Sequence, residues 1–145
     1  MLINNLYEVD QEQTFISLAN SMGYRKPIDT DPGGTNRYDA YLGMFTYIQN
    51  NNLAQPSGSE YMGDKNSFDW SIITANINSG NPLYISVPTN EYKPGEKGNH
   101  GMLVVGYEST GVNDFLRVAD GWNHSLSNFF NYKWTNVNAL WYVKW

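Results

Sequence analysis

The sequence predicts an α+β domain, with about three helices followed by an antiparallel sheet. Three observations carry that expectation. Apolar residues recur at helical spacing in three separate segments before residue 80. Beyond residue 80 they gather in short runs bounded by Pro, Gly and Asn, as strands require. The two patterns do not alternate, which argues for segregated layers rather than βαβ units. The 145 residues fit one domain, with a helical part at 1–80 and a sheet part at 81–145.

The elements follow in order. Asp10 stands as an N-cap, with Gln13 in the capping-box position. Phe15, Leu18, Ala19 and Met22 then share one helical face, and Gly23 suits the stop, giving a helix over about 11–22. Residues 25–34 are rich in Pro, Asp and Gly and read as a loop. Thr35 caps a second helix whose Tyr38, Tyr41, Leu42, Phe45 and Ile48 form an apolar stripe. Asn50, Asn51 and Asn52 end it, and residues 54–67 are polar and turn-like. Asp69 caps a third helix with Trp70, Ile73 and Ile77 on one face and Gly80 at its end.

The sheet part opens with 82–88, a strand bounded by prolines. Residues 89–98 read as a loop. Two strand-like runs follow, His100 to Tyr107 and Phe115 to Trp122. Residues 123–128 are a loop, and 129–134 and 139–144 are two further short strands.

Composition narrows the function. The net charge is −5 and the pI about 4.8, which argues against nucleic acid and anionic membranes as partners. Apolar runs fall short of the about 20 residues of a membrane span. Charged residues make up only 16%, so the surface is largely neutral and polar. Such surfaces are common in secreted bacterial proteins, and an extracellular or cell-surface location is the expectation. No signal-peptide pattern precedes Asn4, so an export signal is expected upstream of this chain. The absence of cysteine excludes disulfides, thiolate metal sites and a cysteine nucleophile.

His100 and Asp120 are the candidate site. If the two strands turn near Thr110 and Gly111, these residues are equidistant from the turn and face each other on one side of the sheet. A carboxylate accepting from Nδ1–H would fix the tautomer and aim Nε2 at a third group. Taken singly, His100 reads as a strand-start histidine bonding a loop, and Asp120 as a turn aspartate before Gly121. The small Gly101 leaves room for something to approach the ring. Trp122 is positioned to shield the pair from water, or to fill the core. His124 lies in a polar loop and reads as solvated. Two histidines without metal-ligand spacing make a poor zinc site, so no metal or cofactor is expected.

From Asp69 onward the pattern resembles the papain-like cysteine peptidases, in their C39-like and staphopain-like branch. Three stretches carry the likeness: 78–87, a helix end, Gly-Asn-Pro and an apolar strand; 100–107, similar to the family's histidine strand; and 118–122, similar to its Asn/Asp-x-Trp. The resemblance implies a papain-like fold, with His100 as general base, Asp120 as its orienting partner and Trp122 as shield. It also implies a cysteine at the start of an early helix. Either Gln11 or Glu12 stands there, or the nucleophile helix lies upstream and is lacking; the second is the expectation. Ser17 and Ser21 fall inside the helix, away from the N-terminal dipole, and do not replace the thiol.

A domain without its nucleophile is expected to be inactive. It would be a truncated peptidase, with its exposed groove filled by the missing N-terminal segment or a neighbouring chain, or a pseudopeptidase binding a peptide or protein. The alternative is a secreted interaction module for peptide or cell-wall glycan.

Overall fold

A computed structural model describes residues 11–25, 35–63, 69–92, 94–95, 98–121, 125, 128–133 and 136–144. The chain divides into two compact units, residues 1–55 and 56–145.

Among its described residues the first unit holds two helices, α1 (Gln11–Ser21) and α2 (Arg37–Asn50). Asp10 lies outside the described residues. Gly23, at φ +62°, closes α1 in a left-handed C-cap. There Tyr24 N–H donates to Ala19 O at 2.9 Å and Gly23 N–H to Asn20 O at 3.1 Å. The cap of α2 is Asn36 rather than Thr35: its side-chain oxygen accepts from Tyr38 N–H at 2.8 Å. Asn52, at φ +53°, ends α2 as the asparagine run implies.

The buried face of α2 differs from the expected stripe. Ala40, Gly43, Met44, Tyr47 and Ile48 are buried, whereas Tyr38 and Leu42 are exposed. The reason is close approach. A Cβ built on Gly43 would lie 2.6 Å from the Met22 Cα, so only glycine lets the α1 end come this near. The small residues select the packed face, and Tyr41 stands instead against Tyr38 (6.1 Å) and Phe45 (5.1 Å) along the side of the helix.

The second unit is a six-stranded antiparallel sheet with a helix on one face. Its strands are β1 (Gly58–Met62), β2 (Leu83–Pro88), β3 (Asn99–Ser109), β4 (Asp114–Ala119), β5 (Asn128–Tyr132) and β6 (Ala139–Lys144), in the spatial order β1-β6-β2-β3-β4-β5. The helix α3 (Trp70–Asn78) precedes β2, and a single helical turn, α4 (Thr89–Tyr92), follows it within the expected loop.

The order is therefore not simply helices, then sheet. Strand β1 lies between α2 and α3, inside the part read as helical and turn-like. An edge strand half in water needs little apolar alternation, so Gly-Ser-Glu-Tyr-Met carries almost no strand signal. Pairing with β6 makes it a strand: Glu60 lies opposite Tyr142, whose hydroxyl donates to Glu60 Oε2 at 2.6 Å. That bond, with burial, raises the Tyr142 pKa.

Strand β6 is buried at all five positions from Ala139 to Val143. Such a run marks an interior strand covered on both faces, and β6 does run between β1 and β2. Asp69 caps α3 as expected, accepting from Ser71 N–H at 2.5 Å. Ile73 of α3 packs into the core with Leu83, Ile85, Met102, Val104 and Leu116.

Candidate functional site

The local sequence explains the β3–β4 hairpin. Thr110 N–H donates to Asn113 O at 3.0 Å, and Gly111 at φ +80° makes the turn. Ser109 then pairs with Asp114 and Gly106 with Arg117. A bulge between Val104 and Gly106 shifts the register by one, so that Leu103 pairs with Ala119.

This register corrects the expected facing pair. Continued by one step, it sets Asp120 level with Met102, leaving His100 two residues further along. The turn centre lies about a residue beyond Thr110–Gly111, and the bulge recovers only part of that offset. His100 and Asp120 are thus diagonal neighbours. They do share one face, since Met102, Val104 and Val118 alternate with them and are all buried.

The atoms in contact also differ from the expectation. His100 Nε2 lies 2.8 Å from the main-chain oxygen of Asp120. A carbonyl oxygen only accepts, so Nε2 carries the proton and donates it. The ring meets Asp120 through Nε2 and the main chain, not through Nδ1 and the carboxylate. Burial lowers the His100 pKa below the usual 6.5, opposed by the bond to Asp120 and by its negative charge. The ring is held neutral and in one orientation.

The Asp120 side chain is only 5% exposed. Its Oδ2 accepts from Asn128 Nδ2 at 3.0 Å. Asn128 opens β5 opposite Val118 and was not among the sequence-derived candidates. A small polar residue at a loop–strand junction looks like an ordinary turn residue, and only sheet pairing brings it to Asp120.

The structure places the other candidates as follows. Trp122 and His124 lie outside the described residues. Gln11 and Glu12 belong to the first turn of α1. Ser17 sits in the interior of α1, with Gln13 Nε2 donating to its Oγ at 3.1 Å, and Ser21 is the last residue of that helix. Among the described residues, no group of three or more His, Asp or Glu is arranged to hold a metal ion. No helix described is long and apolar enough to cross a membrane.

Gly101 has a different function from the one its small size implied. A Cβ there would collide with the Tyr84 hydroxyl and lie 2.7 Å from the ring's Cε2. The space beside Gly101 is filled by Tyr84, on the sheet face opposite the His100 ring, where Tyr84 stacks on Trp141 at 4.9 Å.

A family model, the Peptidase_C39 like family, matches residues 5–143. The chain belongs to that family. No curated protein and no solved structure matches it. The described helices and six-stranded antiparallel sheet are consistent with a papain-like architecture. This C39-like domain carries no cysteine anywhere in its sequence. It holds no thiolate for acyl transfer, and the cysteine-peptidase mechanism cannot run on the residues present.

Proposed function

We propose that this C39-like domain is a pseudopeptidase that binds a peptide segment at the His100–Asp120 site without cleaving it. The observation that carries the reading is the extent of the family match. It begins at residue 5, ahead of α1, so α1 lies within the family region and yet offers no thiol. A family region that spans the described elements thus keeps the His100–Asp120 pair while carrying no nucleophilic thiol. What remains is a neutral imidazole held by Asp120, with Trp122 nearby in sequence as its shield. His100 acts here as a hydrogen-bonding group for the peptide main chain, where an active relative would use it as general base. The low charge and polar surface support an extracellular or cell-surface setting.

The test has two arms. Fluorogenic peptide libraries should show no turnover, with His100→Ala indistinguishable from the parent; turnover that His100→Ala abolishes would overturn the inactive assignment. Peptide titrations followed by NMR should shift the His100 ring signals, and saturating peptide with no shift at His100 or its strand neighbours would overturn the binding reading.

A second reading has its own observation. Tyr38 is 47% exposed and stacks on Tyr41. Exposed aromatic rings of this kind suit a sugar face, so cell-wall glycan binding lost on Tyr38→Ala, with His100→Ala silent, would favour an interaction module.

A further inference from the structure

We infer that Asn128 is a positioning residue for His100, acting through Asp120. The two bonds form a chain across the ends of three adjacent strands. His100 at the start of β3 donates from Nε2 to the Asp120 main-chain oxygen at 2.8 Å. Asp120, the residue after β4, accepts on Oδ2 from Asn128 Nδ2 at 3.0 Å. Asn128 opens β5, anchored opposite Val118.

The need for such an anchor follows from where Asp120 sits. It lies past the last ladder pair of β4, and the next residue, Gly121, turns away at φ +75°. The described strand pairing stops at Ala119, so Asp120 lies one residue beyond the ladder. A buried carboxylate needs donors, and its pairing is worth more than a surface bond because water cannot replace it. Asn128 supplies one such donor from a rigid strand. By holding the carboxylate, it holds the Asp120 backbone, and that carbonyl selects one imidazole tautomer. The nitrogen left without the proton is Nδ1.

This deepens the peptide-binding proposal and rests on it only for biological purpose; the positioning is measured in the free protein. In ¹⁵N-resolved NMR of the intact chain, His100 shows a pyrrole-type Nε2 and a pyridine-type Nδ1. Asn128→Ala and the isosteric Asn128→Asp, which lacks the donor, should both accelerate Nε2–H exchange with solvent about fivefold, as expected for loss of one hydrogen bond. Both should also bring up the second tautomer. Asp120→Asn keeps the backbone carbonyl and a side-chain oxygen acceptor, and should retain the parental tautomer. Asp120→Ala should match Asn128→Ala, and the double variant should add nothing further.

Parental exchange and tautomer in both Asn128 variants, with amide spectra showing an intact fold, would overturn the positioning. A fixed tautomer without peptide shifts would overturn the binding function and leave the positioning standing.

Discussion

Replacing Gly101 with alanine sets a methyl group against the Tyr84 ring, 2.7 Å from its Cε2 and closer still to its hydroxyl. Neither the β3 backbone nor the ring can yield independently. Gly101 is paired with Ser86, and Tyr84 with Leu103 and Trp141, in adjoining ladders. The ring must swing away and give up its stacked contact with Trp141, with centroids 4.9 Å apart and planes at 18°. Losing that contact costs about 1 kcal/mol, and overpacking adds about 2 kcal/mol. Alanine returns about 0.5–1 kcal/mol through its lower unfolded-state entropy in a strand. The net expected loss is about 2 kcal/mol, or roughly 4–8 °C in Tm for a chain of this size.

Urea unfolding of the single and double variants measures it. Gly101→Ala lowers the midpoint at constant m-value. In a Tyr84→Ala background the same substitution should cost nothing, giving a coupling of about 2–3 kcal/mol. A coupling below about 0.5 kcal/mol would refute the contact between Tyr84 and the Gly101 backbone as the reason for glycine.

Three further outcomes are expected. Gly43→Ala should destabilise by about 1–2 kcal/mol, because overpacking against the Met22 backbone exceeds the gain in helix propensity; a midpoint at or above the parent's contradicts that packing. Tyr132→Phe should stabilise by about 1 kcal/mol, since the Tyr132 hydroxyl is buried with no hydrogen-bond partner among the described residues. Burial and the charges of Asp69 and Asp114 push its pKa up to about 12, and a destabilised variant in the same urea assay would show that the hydroxyl is satisfied. His100 has its folded pKa lowered, so the unfolded chain takes up the proton first. Its contribution is present in full above pH 6.5 and diminishes as pH falls from there toward the lower folded value, where the loss levels off. His100→Gln should remove this segment of the stability–pH curve; an unchanged curve would contradict a half-buried ring whose pKa is lowered.

Local signals were legible wherever the chain's own neighbours decide the outcome. Asp69, Gly23, Gly80 and the asparagines at 50–52 mark helix ends through cap chemistry that a few residues determine. The apolar runs at 83–87 and 139–143 read as strands because both lie inside a sheet. Strand β1 was illegible because pairing, not composition, makes an edge strand. The α2 stripe misled because large aromatics signal burial more loudly than Ala40 and Gly43, although closeness of approach goes with small residues.

The candidate site divides along the same line. The sequence alone determined how side chains alternate along β3 and along β4, because alternation is a local rule; that His100 and Asp120 share a face depends on the one-residue bulge between Val104 and Gly106. The sequence also determined that this C39-like domain lacks a thiol, because absence of a residue type needs no geometry. Only the tertiary structure decided which atoms meet. A bulge of one residue sets the diagonal register, the register brings Nε2 rather than Nδ1 to Asp120, and β5 delivers Asn128 to its carboxylate. Register and strand order depend on contacts between residues far apart in the chain, and no window of neighbouring residues carries them.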